Sequence, residues 1–189
     1  MKKVLIINGS PRKKGSTALL VQEAARALDE QDIETETIVL NELSIKGCQA
    51  CYWCKKNNVA ECAVKDDMQD LHRKMKECNG MIIAVPIYFG GVTAQAKLWL
   101  DRMFPYIGMD LSPKMPPGKK VSFIFTQNQP DSTLFRAGMD SFIWAVGLFG
   151  LAVKNQMLGC DLDAGTKQSV EERKDLMEQA YRIGKNLLE

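Results

Sequence analysis

Short apolar runs alternate along this chain with longer stretches in which apolar residues recur every three or four positions. Val4–Ile7, Glu34–Leu40, Met81–Val85, Val121–Thr126 and Leu151–Leu158 read as strands, rich in β-branched and aromatic residues. Helical spacing fills the gaps between them. The segment after Thr17 (ALLVQEAARALDE) is one such helix, and Met68, Leu71, Met75 and Cys78 mark a second. Ala94, Leu98, Trp99 and Met103 mark a third, Leu134–Phe149 with Trp144 a fourth, and Val170–Leu188 a closing amphipathic one. Asp66, Asp67 and Thr93 are expected N-caps, Asn79-Gly80 ends the second helix and Pro105 the third. Residues 44–62 are irregular and rich in cysteine, and Tyr106–Gly118, with Pro113, Pro116 and Pro117, reads as a long surface loop.

Strands alternating with helices predict an α/β chain with a parallel sheet and helices on both faces, joined by right-handed crossovers. With five parallel strands taken in the order 2-1-3-4-5, the arrangement is a three-layer sandwich. It forms a single domain over residues 1–189, with a cysteine-rich loop at 44–65. In such sheets ligands bind beyond the C-terminal strand ends, where the strand order reverses, here between the first and third strands.

Those two strands run into the most distinctive loops. The first is Asn8-Gly9-Ser10-Pro11, then Arg12, Lys13, Lys14, Gly15, Ser16 and Thr17 at a helix start. Free N–H groups, the positive helix end, hydroxyls and cations together make an anion site, and a phosphate suits it. Two familiar phosphate motifs are excluded. Pro11 stands where G-x-G-x-x-G needs its second glycine, and Ser16 follows Gly15 where the P-loop needs lysine. Arg12 is the cation best matched to phosphate oxygens, because its guanidinium is bidentate. The second loop, Pro86-Ile87-Tyr88-Phe89-Gly90-Gly91, sets aromatics beside glycines, which suits a flat heteroaromatic ring approached by backbone N–H groups. A phosphate site facing a flat-ring site matches a mononucleotide such as FMN.

Length, composition and charge narrow the class. At 189 residues, 46% hydrophobic and 25% charged, the chain has the make-up of an ordinary globular protein. A net charge of +2 gives no reason to expect a nucleic-acid partner. No run reaches membrane-spanning length, and the short N-terminal apolar stretch does not read as a signal peptide, so a cytoplasmic location is expected. A reducing compartment leaves metal or redox roles for the six cysteines. Cys48-x2-Cys51-x2-Cys54-x7-Cys62 has the compact triplet and distant fourth thiol that wrap a cubane iron–sulfur cluster. Zinc, a redox-active dithiol and a purely structural role use the same residues. Cys78 and Cys160 are expected in the core. His72, the lone histidine, is expected on a polar helix face, and Asp101-Arg102 as an ion pair or helix stop.

GSPRKKGST and PIYFGGVTAQAKLWLDR resemble the paired signatures of the NADPH-dependent FMN reductase family, in the flavodoxin-like superfamily. With the cysteine segment between them, the likeness covers roughly the first 105 residues. It implies a flavodoxin-like fold with the FMN phosphate on Ser10, Arg12, Ser16 and Thr17. The ring would lie against Pro86, Ile87, Tyr88, Phe89 and Gly90, with Thr126, Gln127 and Asn128 on its other side. It implies a homodimer or homotetramer, with Lys97, Trp99 and Arg102 on a helix near the subunit contact. The cysteine pattern resembles the family's iron–sulfur flavoproteins, which carry a [4Fe–4S] cluster beside FMN, although the seven-residue gap before Cys62 is long for that group.

No Ser/His/Asp set or carboxylate pair stands out, which agrees with a cofactor-run reaction. The leading expectation is an FMN oxidoreductase that takes hydride from NAD(P)H and passes electrons to a small-molecule acceptor such as a quinone or flavin. A second is an electron carrier fed by ferredoxin through the cluster. A third is a non-enzymatic module with a zinc-held loop.

Overall fold

The computed structural model describes residues 2–162 and 169–189. Its elements are β1 (Lys3–Asn8), α1 (Ser16–Asp29), β2 (Glu34–Val39), α2 (Trp53–Lys56), α3 (Met68–Glu77), β3 (Gly80–Tyr88), β4 (Gly91–Val92), α4 (Ala94–Asp101), β5 (Lys120–Thr126), α5 (Arg136–Gly147), β6 (Ala152–Gly159) and α6 (Lys174–Lys185). Five strands run parallel in the spatial order β2-β1-β3-β5-β6, the flavodoxin-like arrangement expected from the sequence. A sixth strand was not anticipated: β4 is two residues long and pairs antiparallel with the end of β3.

Alternation along the strands builds the three layers. Val4 and Ile6 of β1, with Ile82, Ala84 and Ile124, face α1 and α6, where Leu20, Ala24, Leu176, Ala180 and Ile183 complete one core. Leu5 and Ile7, with Met81, Ile83, Val85, Phe123 and Phe125, face α3, α4 and α5 across a second core holding Met68, Met75, Trp99 and Phe142. Period-two side-chain alternation sends neighbouring residues to opposite faces, and both faces are covered, so the central strands are apolar along most of their length. The outer strands β2 and β6 are partly exposed, and their sequences are correspondingly polar.

Several local expectations need correction. The 44–62 segment contains one helical turn, α2, and the closing helix splits into a 3-10 turn at Val170–Glu172 followed by α6. Thr93 caps α4 by accepting from the Ala96 N–H at 3.3 Å. Asp67 makes no such bond to α3 and instead accepts from the Ser44 N–H at 2.7 Å. His72 is buried rather than surface-facing, with Nδ1 3.1 Å from the Tyr106 hydroxyl. Trp99 and Arg102 are fully buried within the chain and so present nothing to a subunit contact, whereas Lys97 is exposed and pairs with Asp101. Arg102 pairs with Asp66, not with its neighbour Asp101.

Candidate functional site

The loop after β1 is stitched by bonds that span only two residues. Asn8 Oδ1 accepts from the Ser10 N–H at 2.9 Å, and Ser10 Oγ accepts from the Arg12 N–H at 3.2 Å. Gly15 then occupies the N-cap of α1, and no side chain caps that end. The first-turn N–H groups of Ser16 and Thr17 therefore point outward with the positive end of the helix behind them. Arg12 lies folded over Gly15, where a β-carbon would come within 3.1 Å of its Nε. Lys13 is drawn aside to Glu42. Thr93 joins this loop to the next, since its hydroxyl also donates to Gly9 O at 2.8 Å.

The second loop is a two-residue hairpin turn between β3 and β4. Tyr88 pairs with Gly91, and the turn residues Phe89 and Gly90 have φ of +50° and +79°. Two positive φ values in succession make the tight turn whose twist suits a hairpin, and glycine accepts them without penalty. Phe89 does not; a bulky side chain in the left-handed region carries strain of order 1 kcal/mol. That ring is fully exposed at the rim, beside a half-exposed Tyr88. The hairpin rests on α5 at Gly138, where a β-carbon would stand 2.1 Å from Gly90 O.

Between the two loops lies a cleft of about 540 Å³ at the C-terminal ends of the central strands. Arg12, Ser16, Pro86, Ile87, Tyr88, Phe89, Thr126, Gln127 and Asn128 all line it. Ser10 and Thr17 lie buried beside it, and Thr17 Oγ1 is 2.7 Å from Thr126 Oγ1, so that hydroxyl braces α1 against β5. Gly15 and Gly90 shape the two rims without lining the cleft. Gln129, Phe135 and Leu162 complete the wall and were not expected from the sequence. Gln127 is almost fully buried; its Nε2 donates to Gln129 O and Asp131 O, which leaves Oε1 as an unpaired acceptor. A buried acceptor without a donor is costly, and a ligand N–H would relieve it.

The cysteines gather elsewhere. Cys48, Cys51, Cys54 and Cys62 all line one small, mostly enclosed cavity of about 20 Å³, together with Arg102 and Phe104. No residue lines both this cavity and the cleft. The loop carrying them is pinned from outside. Arg102 NH1 donates to Lys46 O at 2.8 Å and Asp66 Oδ2 at 2.5 Å; NH2 donates to Val64 O at 3.1 Å and Asp66 Oδ1 at 3.0 Å. Gln69 Nε2 donates to Cys62 O and Val64 O, and Lys55 Nζ to Phe104 O and Ile107 O. Burial works against the Asp66 carboxylate, but the Arg102 bonds and the N–H groups of Lys46 and Met68 outweigh it and hold its pKa low. Burial pushes the Cys54 thiol up and the Lys55 ammonium down.

Ala50 and Tyr52, on either side of Cys51, both have positive φ, +48° and +56°. Left-handed residues recur where successive N–H groups curl around an anion or an iron–sulfur cluster. Among the described residues no three ligand side chains are close enough together to hold a single metal ion. The donor set nevertheless fits a cluster: four thiols face one cavity, and two cations, Lys55 and Arg102, stand beside sulfurs that carry net negative charge when they ligate iron. The cavity is small, and residues 48–53 beside it are exposed.

A family model described as NADPH-dependent FMN reductase matches residues 2–128. Among curated proteins, the chain is 45% identical over 114 residues to an iron-sulfur flavoprotein of Methanocaldococcus jannaschii, covering 60% of this chain and 58% of that protein. It is 38% identical over 104 residues to an iron-sulfur flavoprotein of Archaeoglobus fulgidus, covering 55% and 52%. The chain thus spans a little over half the length of these relatives. An NAD(P)H:quinone oxidoreductase from Methanothermobacter marburgensis superposes with a TM-score of 0.75 at 17% identity, over 98% of this chain and 96% of that one. An FMN-dependent NADH-azoreductase from Bacillus anthracis, solved in complex with FMN, gives 0.68 at 14% identity, over 97% and 100%. At these identities the structures share a fold with this chain.

Proposed function

The chain belongs to the NADPH-dependent FMN reductase family, and from that premise we propose that it is an FMN-dependent oxidoreductase. It takes electrons from NAD(P)H and passes them to a quinone, flavin or similar small-molecule acceptor. The observation that carries this reading is the single cleft in which the uncapped start of α1, Arg12, the β3–β4 hairpin and the end of β5 converge. Bound FMN supplies the hydride-accepting and electron-passing chemistry, and the chain supplies its placement. Ser16 and Thr17 offer backbone N–H groups to the phosphate, Ser10 a hydroxyl and Arg12 a bidentate cation. Thr17 acts through its backbone, because its hydroxyl is engaged with Thr126. Pro86, Ile87 and Tyr88 give the ring an apolar wall, and Gly90 lets the hairpin backbone approach it. The unpaired Gln127 Oε1, beside Thr126 and Asn128, would accept from a ring N–H. The nicotinamide and acceptor rings would enter in turn past Tyr88 and Phe89 at the open rim.

A second reading is favoured by the gathering of Cys48, Cys51, Cys54 and Cys62 around one cavity, and by relatives named iron-sulfur flavoproteins. In it the cysteines hold a [4Fe–4S] cluster, and single electrons arrive from a ferredoxin. The protein works as a homodimer or homotetramer. With Trp99 and Arg102 turned inward, α5 and its two-thirds-exposed Trp144 offer an alternative contact. Among the described residues no helix is long and apolar enough to cross a membrane.

Anaerobic purification followed by an absorption spectrum and iron, sulfide and zinc analysis tests both readings. Flavin bands without iron support the reductase alone. Flavin bands with broad brown absorbance and about four irons per chain support the electron carrier. A colourless protein that refuses FMN sinks both. NADPH oxidation with and without a quinone then tests the hydride step.

A further inference from the structure

A guanidinium carries five N–H donors, and in Arg102 four of them are spent. NH1 and NH2 each make two hydrogen bonds, to the Asp66 carboxylate and to the carbonyls of Lys46 and Val64. The fifth donor, Nε–H, is buried and has no hydrogen-bond partner. The side chain is fully buried, so bulk solvent does not reach it. Leaving a charged donor unpaired is expensive, and its location is informative. Arg102 forms part of the wall of the cysteine cavity, and Cys62, in the same wall, is near enough to interact with its guanidinium.

We propose that Arg102 is a positioning residue for the cluster, donating Nε–H to the Cys62 sulfur when that sulfur ligates iron. The inference rests on the reading that the four cysteines hold a [4Fe–4S] cluster. It gives Cys62 a reason to be the fourth ligand despite its long spacing from Cys54. The same guanidinium that fixes residues 46 and 64 on either side of the loop fixes the fourth sulfur. A neutral thiol is a poor acceptor and a ligating thiolate a strong one, so the bond strengthens when Cys62 ligates iron. A hydrogen bond and a positive charge at one sulfur favour the more negative, reduced cluster. Arg102 therefore raises the cluster's reduction potential and eases electron entry.

The test is a redox titration of the reconstituted protein followed by electron paramagnetic resonance, with the flavin midpoint read in the same sample. Arg102→Lys keeps the charge and removes Nε–H. The expected result is a cluster midpoint shifted to more negative potential with the flavin midpoint unchanged. A variant that binds full iron at an unshifted midpoint overturns the proposal and leaves the cluster reading intact. A wild-type protein that holds no iron and sulfide after reconstitution overturns both. Should Arg102→Lys not fold or not retain iron, wild-type protein labelled with 15N-arginine gives the answer. Hyperfine spectra of its reduced cluster are expected to show coupling to one arginine nitrogen and an exchangeable proton. Their absence overturns the proposal.

Discussion

The loop after β1 and the loop after β2 both carry candidate ligands, yet they are built in opposite ways. In the first, Asn8 holds Ser10 and Ser10 holds Arg12, each bond closing over two residues. In the second, the chain reaches across the fold: Arg102 holds Asp66 and Lys46 from 36 and 56 residues away, and Lys55 holds Phe104 from 49. A locally stitched loop carries its geometry with it. A remotely pinned loop has geometry only while the rest of the fold supplies the pins. The cleft proposed for FMN is accordingly expected to survive perturbations that release the cysteines.

The largest effect should come from the pin itself. The Arg102–Asp66 pair is almost fully buried, with side-chain exposures of 0% and 3%. Asp66→Ala strands a buried cation and should cost about 3–5 kcal/mol in urea denaturation. It should also abolish iron retention while FMN titration of the folded fraction is unchanged. Equal loss of FMN and iron would break the comparison.

Acid should act on the same side. Burial, helped by the charges of Arg102 and Lys76 and opposed by Asp66, depresses the His72 pKa to about 4. The unfolded chain, near 6.5, binds the proton more readily. His72 therefore contributes its full stability above pH 6.5 and loses it as pH falls towards 4, a swing of about 3 kcal/mol. His72→Gln should flatten that part of the stability–pH profile in thermal or urea unfolding.

Effects at the flavin cleft should be smaller and confined to it. Arg12→Ala should weaken FMN binding by about tenfold or more in fluorescence titration, through loss of a charge-assisted contact, with iron content and unfolding midpoint unchanged. Gly90→Ala places a side chain at φ +79° and should cost about 1 kcal/mol. A Gly90→Ala variant as stable as the wild type would show that the hairpin relaxes without it.

Much of the cleft was legible because its information is contiguous. A β-branched run, a Gly/Pro turn and a helix start follow one another in Val4–Thr17, and Pro86–Gly91 repeats the device at the next strand end. Alternation and crossover rules gave a parallel sheet with helices on both faces, and the strand order came with the flavodoxin-like resemblance. What escaped was set by approach between distant segments. Gln129, Phe135 and Leu162 carry no motif, and Gly138 reads as an unremarkable helix residue until Gly90 O is found against it. His72 was misplaced, and Arg102 was paired with the wrong aspartate, for a related reason. A single charged or aromatic side chain on a short helix says little about which face is covered.

Sequence alone determined the layered fold, the two strand-end loops and the spacing of the cysteines, because periodicity and turn chemistry act over a few neighbouring residues. Tertiary structure decided which groups meet. It paired Thr17 with Thr126, turned Phe89 outward in a left-handed turn, and buried Arg102 with one donor left over beside Cys62. Those outcomes depend on desolvation and on the matching of donors to acceptors across long separations, which a local pattern does not encode.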